Sequence, residues 1–561
     1  MRVMPVVRTS LSRMLRLIGI NDIEKLRDTL FNLKCETEVD EDGTIAIEVQ
    51  SDRIDMFSVE GIAYAARLYL GLTIPKSIDS KSFFRVFVEP PLRRPYIGIA
   101  AVKNVELDEE ALKDLIEFQE RLHITYGRHR RKIAIGLHDL SRVSSNTIVY
   151  KDVDIDRVEM VPLFSERRIS IREVLNSTEQ GSLYGSIAIH GNMHPAIIVS
   201  DEVISLPPVI NSDITRLEPS SRDILIDVTG TDFNSVINVL NVIVHALSFY
   251  GGEVLGAEIY YPDRTTVTPD LKWREIEIDI NFVARWLGLE VRKVIEESNK
   301  ALQKMGYMFK EITNEKMSVL VPPYRCDIMH PVDVVEDIAI GFRYNNLGIE
   351  LVEPVKSVKL RVMRKIDVKS LAEVLSEVLV GLGYTEVNVL SLSSSKTIEL
   401  VSDEPYLKIM NALSKELDAL RNSLIPSMLT VLRDSQYVAQ PVKIFEIGEV
   451  VEKCDTCYTG WRNSLNVLLA VMDSEIRFED IHADLYAVLR ELGLEGNLTI
   501  RACRKKTFID GRCGCILYGD KEVGVIGEVH PEILKSMGIE YPIAMAELKL
   551  DTLAKVIRGL K

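Results

Sequence analysis

The sequence predicts an α+β multidomain chain with four parts. A small duplicated α+β module occupies residues 1–75 and again 270–347. A mixed α/β region fills 83–265, and an antiparallel sheet domain with interspersed helices forms 348–561. Three observations predict it. Residues 6–72 and 274–347 share one order of turn signals, apolar spacing and charged motifs. Between them, strand-like apolar runs alternate with two helical periods in a long mixed region. After residue 348, long apolar alternations are joined by short turns.

Each module begins with a short strand and a helix that stops at a glycine, Gly19 or Gly288. A second amphipathic helix follows, with apolar residues at Ile23, Leu26, Leu30 and Leu33, or at Val291, Ile295 and Leu302. A hairpin comes next, turning at "DEDG" (40–43) or "TNEK" (313–316), and then Arg-x-Asp and a last helix. In the middle region "YIGIAAVKNV" (96–105), "YGSIAIHG" (184–191) and "ILIDVTGTD" (224–232) read as strands. The segments 108–123 and 234–249 read as helices, the second capped by Asp232. In the last domain helices are expected up to "GLGY" (381–384), around 423–434 and at 478–492. Strands are expected at 442–451, 464–473 and within 514–531.

Composition narrows the function classes. At 561 residues the chain has room for about four domains of roughly 150 residues. Hydrophobic residues make up 46% and charged residues 27%, the balance of a globular protein. No apolar run is long enough to span a bilayer, so no membrane partner is expected and the chain reads as cytoplasmic. The four arginines before Asp22 belong to the first module rather than to a targeting peptide. A formal charge of −15 repels polyanions, which disfavours a stand-alone nucleic-acid binder but not a subunit beside a basic partner. Seven cysteines, including Cys454/Cys457 and Cys513/Cys515, read as reduced loop thiols rather than a disulfide framework.

The stretch "RCDIMHPVDVVEDI" (325–338) carries Asp327, Asp333, Glu336 and Asp337. On a helix beginning near Pro331 the last three share one face. Acids are favoured in a first helical turn, so helix initiation is one reading. The first module tests it: "RIDMFSVEGIA" keeps Asp55 and Glu60 but is shorter, and Phe57 and Gly61 fall where the second copy has Asp333 and Asp337. Four clustered carboxylates repel one another unless a cation or a basic group sits among them. An all-oxygen set suits Mg²⁺ or Ca²⁺. Helix start and cation site both remain open on these residues alone.

Four blocks, "YRCDIMHPVDVVEDIAIGFRYNNL" (324–347), "LRNSLIPSMLTVL" (420–432), "VKIFEIGEVV" (442–451) and "GVIGEVHPEIL" (524–534), stand in the order of a known family. The chain resembles the β subunits of phenylalanine–tRNA ligases of the archaeal and eukaryotic type. The resemblance implies an α₂β₂ heterotetramer that joins phenylalanine to tRNA(Phe) using ATP, with the synthetic site on the α subunit. It implies Mg²⁺ at Asp327, Asp333, Glu336 and Asp337, although Asp337 stands where many relatives have Glu. It implies a non-catalytic class II synthetase-like domain at 348–561, in which Arg421 and Arg433 lack a following Gly-rich, Arg-bearing motif. And it implies that 83–265 hydrolyses tyrosine mistakenly attached to the tRNA. An apolar pocket rejects an added hydroxyl by only about 10², which is why such proofreading is needed. Candidates for that pocket are Asn211, Ser212, Arg222, Asp227, Thr229 and Asp232, with His190 and His194 as outsiders. Two competing readings are a free-standing Mg²⁺-dependent hydrolase acting at 327–337 and an RNA-binding scaffold without chemistry.

Overall fold

The computed structural model describes residues 5–313, 315–347 and 368–559. The chain divides into two compact units, Met1–Lys356 and Ser357–Lys561.

The first module runs β1 (Val6–Ser10), α1 (Leu11–Ile18), α2 (Ile23–Asn32), β2 (Glu36–Val39), β3 (Thr44–Glu48) and α3 (Val59–Tyr69). Ser10 caps α1 by accepting from the Arg13 amide, and Gly19 ends it at φ 86°, a left-handed position that glycine takes without steric cost. Asp22 caps α2.

The middle region continues with β4 (Ser80–Val88), β5 (Tyr96–Lys103), α4 (Glu109–Ile124), β6 (Ile133–Asp139) and β7 (Thr147–Asp154). A two-residue pair, β8 (Glu159–Met160) and β9 (Ile169–Ser170), leads into α5 (Ile171–Ser177) and α6 (Glu179–Ala188). Then come β10 (Met193–Val199), β11 (Glu202–Leu206), β12 (Ile210–Asn211), β13 (Ile224–Gly230), α7 (Phe233–Ser248), β14 (Glu253–Tyr260) and β15 (Thr265–Thr268). The sheet order is β12-β11-β10-β7-β4-β14-β5-β13-β6, with β15 on β14. Only β14/β4 and β4/β7 pair parallel.

The expected strand at 184–191 is instead largely the second half of α6. Thr178 caps that helix, and Gly181 and Gly185 let it lie against Val174 and Leu175 of α5, where a Cβ would collide. Apolar alternation over so short a run does not separate strand from helix.

The second module repeats the order of the first: β16 (Arg274–Asp279), α8 (Ile280–Leu287), α9 (Val291–Lys304), β17 (Met308–Thr313), β18 (Lys316–Val321) and α10 (Pro331–Phe342). Its sheet, β16-β18-β17, matches β1-β3-β2 of the first. Gly288 ends α8 at φ 65° as Gly19 ends α1. One core joins both modules and the middle region, through residues such as Leu26 and Ile62, Val239 and Val244 of α7, and Leu302 and Ile338.

The second unit contains α11 (Val368–Gly381), β19 (Thr385–Glu386), β20 (Leu392–Ser393), α12 (Ser395–Val401), β21 (Leu407–Lys408), β22 (Ala419–Leu420) and α13 (Ile425–Ser435). It continues with β23 (Val442–Lys453), β24 (Trp461–Met472), α14 (Phe478–Glu491), β25 (Leu498–Ala502), β26 (Phe508–Tyr518), β27 (Lys521–Val529), α15 (Pro531–Met537), β28 (Ile543–Lys549) and α16 (Leu550–Gly559). Its sheet, β19-β23-β24-β28-β27-β26-β25, is antiparallel except at β19/β23. Helices α11, α14 and α16 pack on one face, and α13 and α15 on part of the other.

The cysteines differ from the reduced-thiol expectation. The turn between β23 and β24 closes a Cys454–Cys457 disulfide, and Cys503 bonds Cys515 across the β25–β26 pair. Strand register brings the second pair together, and sequence spacing does not reveal it.

Candidate functional sites

The acidic stretch is organised by an arginine. The Arg325 side chain, 1% exposed, grips Asp327 with Nε and Nη2 at 2.9 and 2.8 Å. Its Nη2 also donates to Asp337 at 2.5 Å, and Nη1 donates to the Met305 carbonyl. Tyr307 donates its hydroxyl to Asp337 at 2.6 Å. Asp333 accepts from the Met329 and His330 amides at 2.8 and 2.7 Å, so it caps α10. Glu336 pairs with Lys34 of the first module at 2.9 Å. Burial works to raise the Asp327 carboxyl, but the Arg325 charge beside it holds it below the usual carboxylate range. For Asp337 burial dominates and pushes the carboxyl up.

Asp327 and Asp337 therefore meet on one guanidinium, while Asp333 serves the helix start and Glu336 serves a lysine. Among the described residues no group of three or more His, Cys, Asp or Glu side chains stands ready to hold a metal ion. The four carboxylates expected to take Mg²⁺ do not fit that role as placed. The basic group that clustered acids require is in the chain itself, two residues before Asp327.

The middle region encloses a cavity of about 380 Å³, lined among others by Glu120, Arg130, Ser205, Asn211, Arg216 and Asp227. Strand pairing sets Asp227 of β13 beside Gly136 of β6. A Cβ at Gly136 would stand 1.9 Å from Asp227 Oδ2 and 3.0 Å from Asn211 Oδ1, so only glycine admits both groups. Asp227 Oδ2 lies 2.9 Å from His138 Nε2, and His138 Nδ1 lies 2.7 Å from Thr215 Oγ1. A carboxylate only accepts, so the network assigns the ring proton to Nε2 and makes Thr215 the donor to Nδ1. Ser205 donates to Asn211 Oδ1 at 2.9 Å. On the cavity's other side Arg130 donates to Glu120 at 2.6 Å, and also to the Pro208 and Val209 carbonyls. His123 accepts from the Ile135 amide through Nε2 and so turns Nδ1–H toward Glu120 at 3.0 Å.

Of the six expected pocket residues, Asn211 and Asp227 line this cavity. The others are held elsewhere. The Ser212 hydroxyl donates to the Val161 carbonyl, and Arg222 donates to the Leu107 carbonyl. Thr229 accepts from buried Arg94, and Asp232 caps α7 through the Ser235 amide. His194 is buried against the Pro195 carbonyl, and burial lowers its pKa to about 4. His190 lies 3.5 Å from Asp152. Sequence reading missed His138, Glu120 and Arg130. The one available signal was His138 itself, a polar interruption in the otherwise apolar run "IAIGLH".

Comparison with known proteins decides the family. The phenylalanyl-tRNA synthetase beta chain CLM domain matches residues 355–550, and the tRNA synthetase B5 domain matches 276–344. The chain is 37% identical over 549 residues to the phenylalanine–tRNA ligase beta subunit of Saccharolobus solfataricus, covering 97% of each. The chain belongs to the phenylalanine–tRNA ligase beta subunit family. The Sulfurisphaera tokodaii beta subunit is likewise 37% identical, over 99% of this chain and 100% of that protein. A solved N-terminal fragment of the phenylalanyl-tRNA synthetase beta subunit from Pyrococcus horikoshii aligns with TM-score 0.57 and 32% identity. It covers 60% of this chain and 99% of the fragment.

In this ligase beta subunit Arg421 is not free to clamp a phosphate. Its side chain is 2% exposed and forks onto Glu446 at 3.1 and 2.8 Å. Arg433, on the exposed end of α13, pairs with its neighbour Asp434. Among the described residues no helix is long and apolar enough to cross a membrane.

Proposed function

We propose that this ligase subunit removes tyrosine wrongly esterified to tRNA(Phe), in the cavity at Asp227, while a partner α subunit carries out ATP-dependent charging with phenylalanine in the cytoplasm. The observation that carries the reading is the chain Thr215–His138–Asp227, which ends on a cavity walled by a second polar set, Glu120 and Arg130. Asp227 is placed to take a proton from a water that attacks the ester carbonyl; the ester C–O bond then breaks, and the proton leaves with the tRNA hydroxyl. Glu120, held by Arg130 and His123, can accept from a phenol hydroxyl. Phenylalanine offers no such donor, so this half-exposed pair favours tyrosine over it.

An α₂β₂ assembly binding tRNA(Phe) fits the family and the acidic charge of −15, which leaves a basic surface to be supplied by the partner. The Mg²⁺ that the family implies at 327–337 has no role in this reading, because those acids are committed to Arg325, the cap of α10 and Lys34. With the co-purified α–β complex, Asp227→Asn should lower hydrolysis of tyrosyl-tRNA(Phe) at least 100-fold while charging with phenylalanine is unchanged. Equal hydrolysis by the variant and the parent would refute the assignment.

A further inference from the structure

The second unit contains a larger cavity, about 610 Å³, over the part of the sheet that α13 and α15 leave uncovered. Its floor is polar, with Asn466 and Glu547 standing next along the strands from apolar Leu468 and Met545. Glu547 of β28, 7% exposed, accepts from the Ser423 hydroxyl at 2.6 Å, the Leu424 amide at 2.9 Å and the Asn466 amide nitrogen at 2.8 Å. All three donors are neutral, and among the described residues no lysine, arginine or histidine pairs with this carboxylate. Buried carboxylates are ordinarily paired with a cation.

Asn466 of β24 is 3% exposed. Its nitrogen is used on Glu547, and its Oδ1 is buried with no hydrogen-bond donor. Asn422 repeats the pattern: its nitrogen donates to the Glu404 and Pro405 carbonyls at 3.0 and 3.3 Å, and its Oδ1 has no donor. Both residues line the same cavity. Two unfilled acceptors beside a carboxylate with no directly paired cation suit a compact cation with several N–H donors, such as a primary ammonium.

The turn after β25 lines the cavity with Arg504 and Lys505. Their carboxylate partners, Asp510 at 3.6 Å and Glu522 at 3.2 Å, are exposed by 68% and 39%, so a second carboxylate can replace them at little cost. Ammonium at one part of the wall and carboxylate at another describe a zwitterion. We propose that this cavity binds a free α-amino acid, its ammonium group on Asn466 and Asn422 beside Glu547 and its carboxylate on Arg504 and Lys505. The proposal stands apart from the hydrolytic reading, which concerns the first unit.

The test is calorimetric titration of the full chain with each of the twenty L-amino acids. For any that binds, the matching 2-hydroxy acid and decarboxylated amine are titrated too. At least one amino acid should bind at one site per chain, and both analogues at least 10-fold more weakly. Asn466→Leu should weaken binding at least 10-fold. Asn422→Ala, nearer the rim, should weaken it several-fold and decides the matter if the first variant does not fold. Asp227→Asn should leave binding unchanged. The proposal is overturned if no amino acid binds, if the hydroxy acid binds equally well, if both asparagine variants bind like the parent, or if Asp227→Asn abolishes binding.

Discussion

The first and second modules share a fold and an arginine clamp, and they differ in what is added to the clamp. In the first, Arg53 grips Asp55 with Nε and Nη2 at 2.9 and 2.8 Å. Arg325 grips Asp327 through the same atoms at the same distances. The shared Arg-x-Asp motif is thus a buried ion pair in both. The two pairs lie near enough for each to feel the other's charge. The second module adds Asp337 and Tyr307 to its pair, so two carboxylates face one guanidinium.

The helix caps also correct the alignment drawn from sequence. Counting from the N-caps Ser58 and His330, Gly61 corresponds to Asp333 and Ala65 to Asp337, so Phe57 does not match Asp333 and Gly61 does not match Asp337. Arg53 and Arg325 each stand five residues before the cap, so this stretch has the same length in both copies, and the second copy's extra residues lie in α9, 14 residues long against 10 for α2. The comparison teaches that an added buried acid follows an arginine already in place.

Six substitutions probe this difference, from the largest expected effect to the smallest. Arg325→Met strands two buried carboxylates and should cost about 3–5 kcal/mol in urea unfolding, more than Arg53→Met, which strands one. Equal losses would mean that Asp337 adds nothing to the clamp.

The next concerns the junction between the modules. His245 of α7 stacks on Tyr324 of the second module at 3.7 Å and meets Tyr64 of the first edge-on at 4.8 Å. Burial lowers its pKa to about 4. The unfolded chain therefore binds the proton first, and stability falls as pH drops from about 6.5 to about 4, by about 3 kcal/mol from this ring. His245→Phe should remove that share of the pH dependence; an unaltered slope would place the titration elsewhere, His194 being the other buried ring lowered to about 4.

Gly61→Ala places a Cβ 1.8 Å from the Asp55 carbonyl oxygen and should cost about 1–3 kcal/mol. Asp333→Ala at the corresponding position removes only cap hydrogen bonds and should cost about 1 kcal/mol by the same measurement. Last, Lys34→Met breaks the partly exposed pairs to Glu336 and Asp52 and should change stability by about 0.5 kcal/mol or less.

Much of this fold was legible because its signals are local. Gly19 and Gly288 end helices, Asp232 caps one, and the hairpin turns stand where the short polar runs put them. Signals failed where the deciding partner is remote. The α5–α6 contact turned an apparent strand into a helix, and the β25–β26 register paired Cys503 with Cys515. The cavity shows both cases. Asn211 and Asp227 were found in one stretch, but His138 and Glu120 join them only through the β6–β13 pairing and α4. The acid cluster was legible as a cluster, yet its neutralising charge was Arg325, a residue the cation reading passed over.

Helix α7 gives the shared core a practical meaning for dissecting the chain. It starts at Asp232, just beyond the strand that carries Asp227, and its far end holds His245 between tyrosines of the two modules. Cutting the chain in the 75–83 or 265–270 segments would strip a wall from that helix and expose core residues such as Val239 and Val244 to water. Those segments mark where one motif gives way to another, and a fragment trimmed there loses the footing of the very strands that hold the cavity.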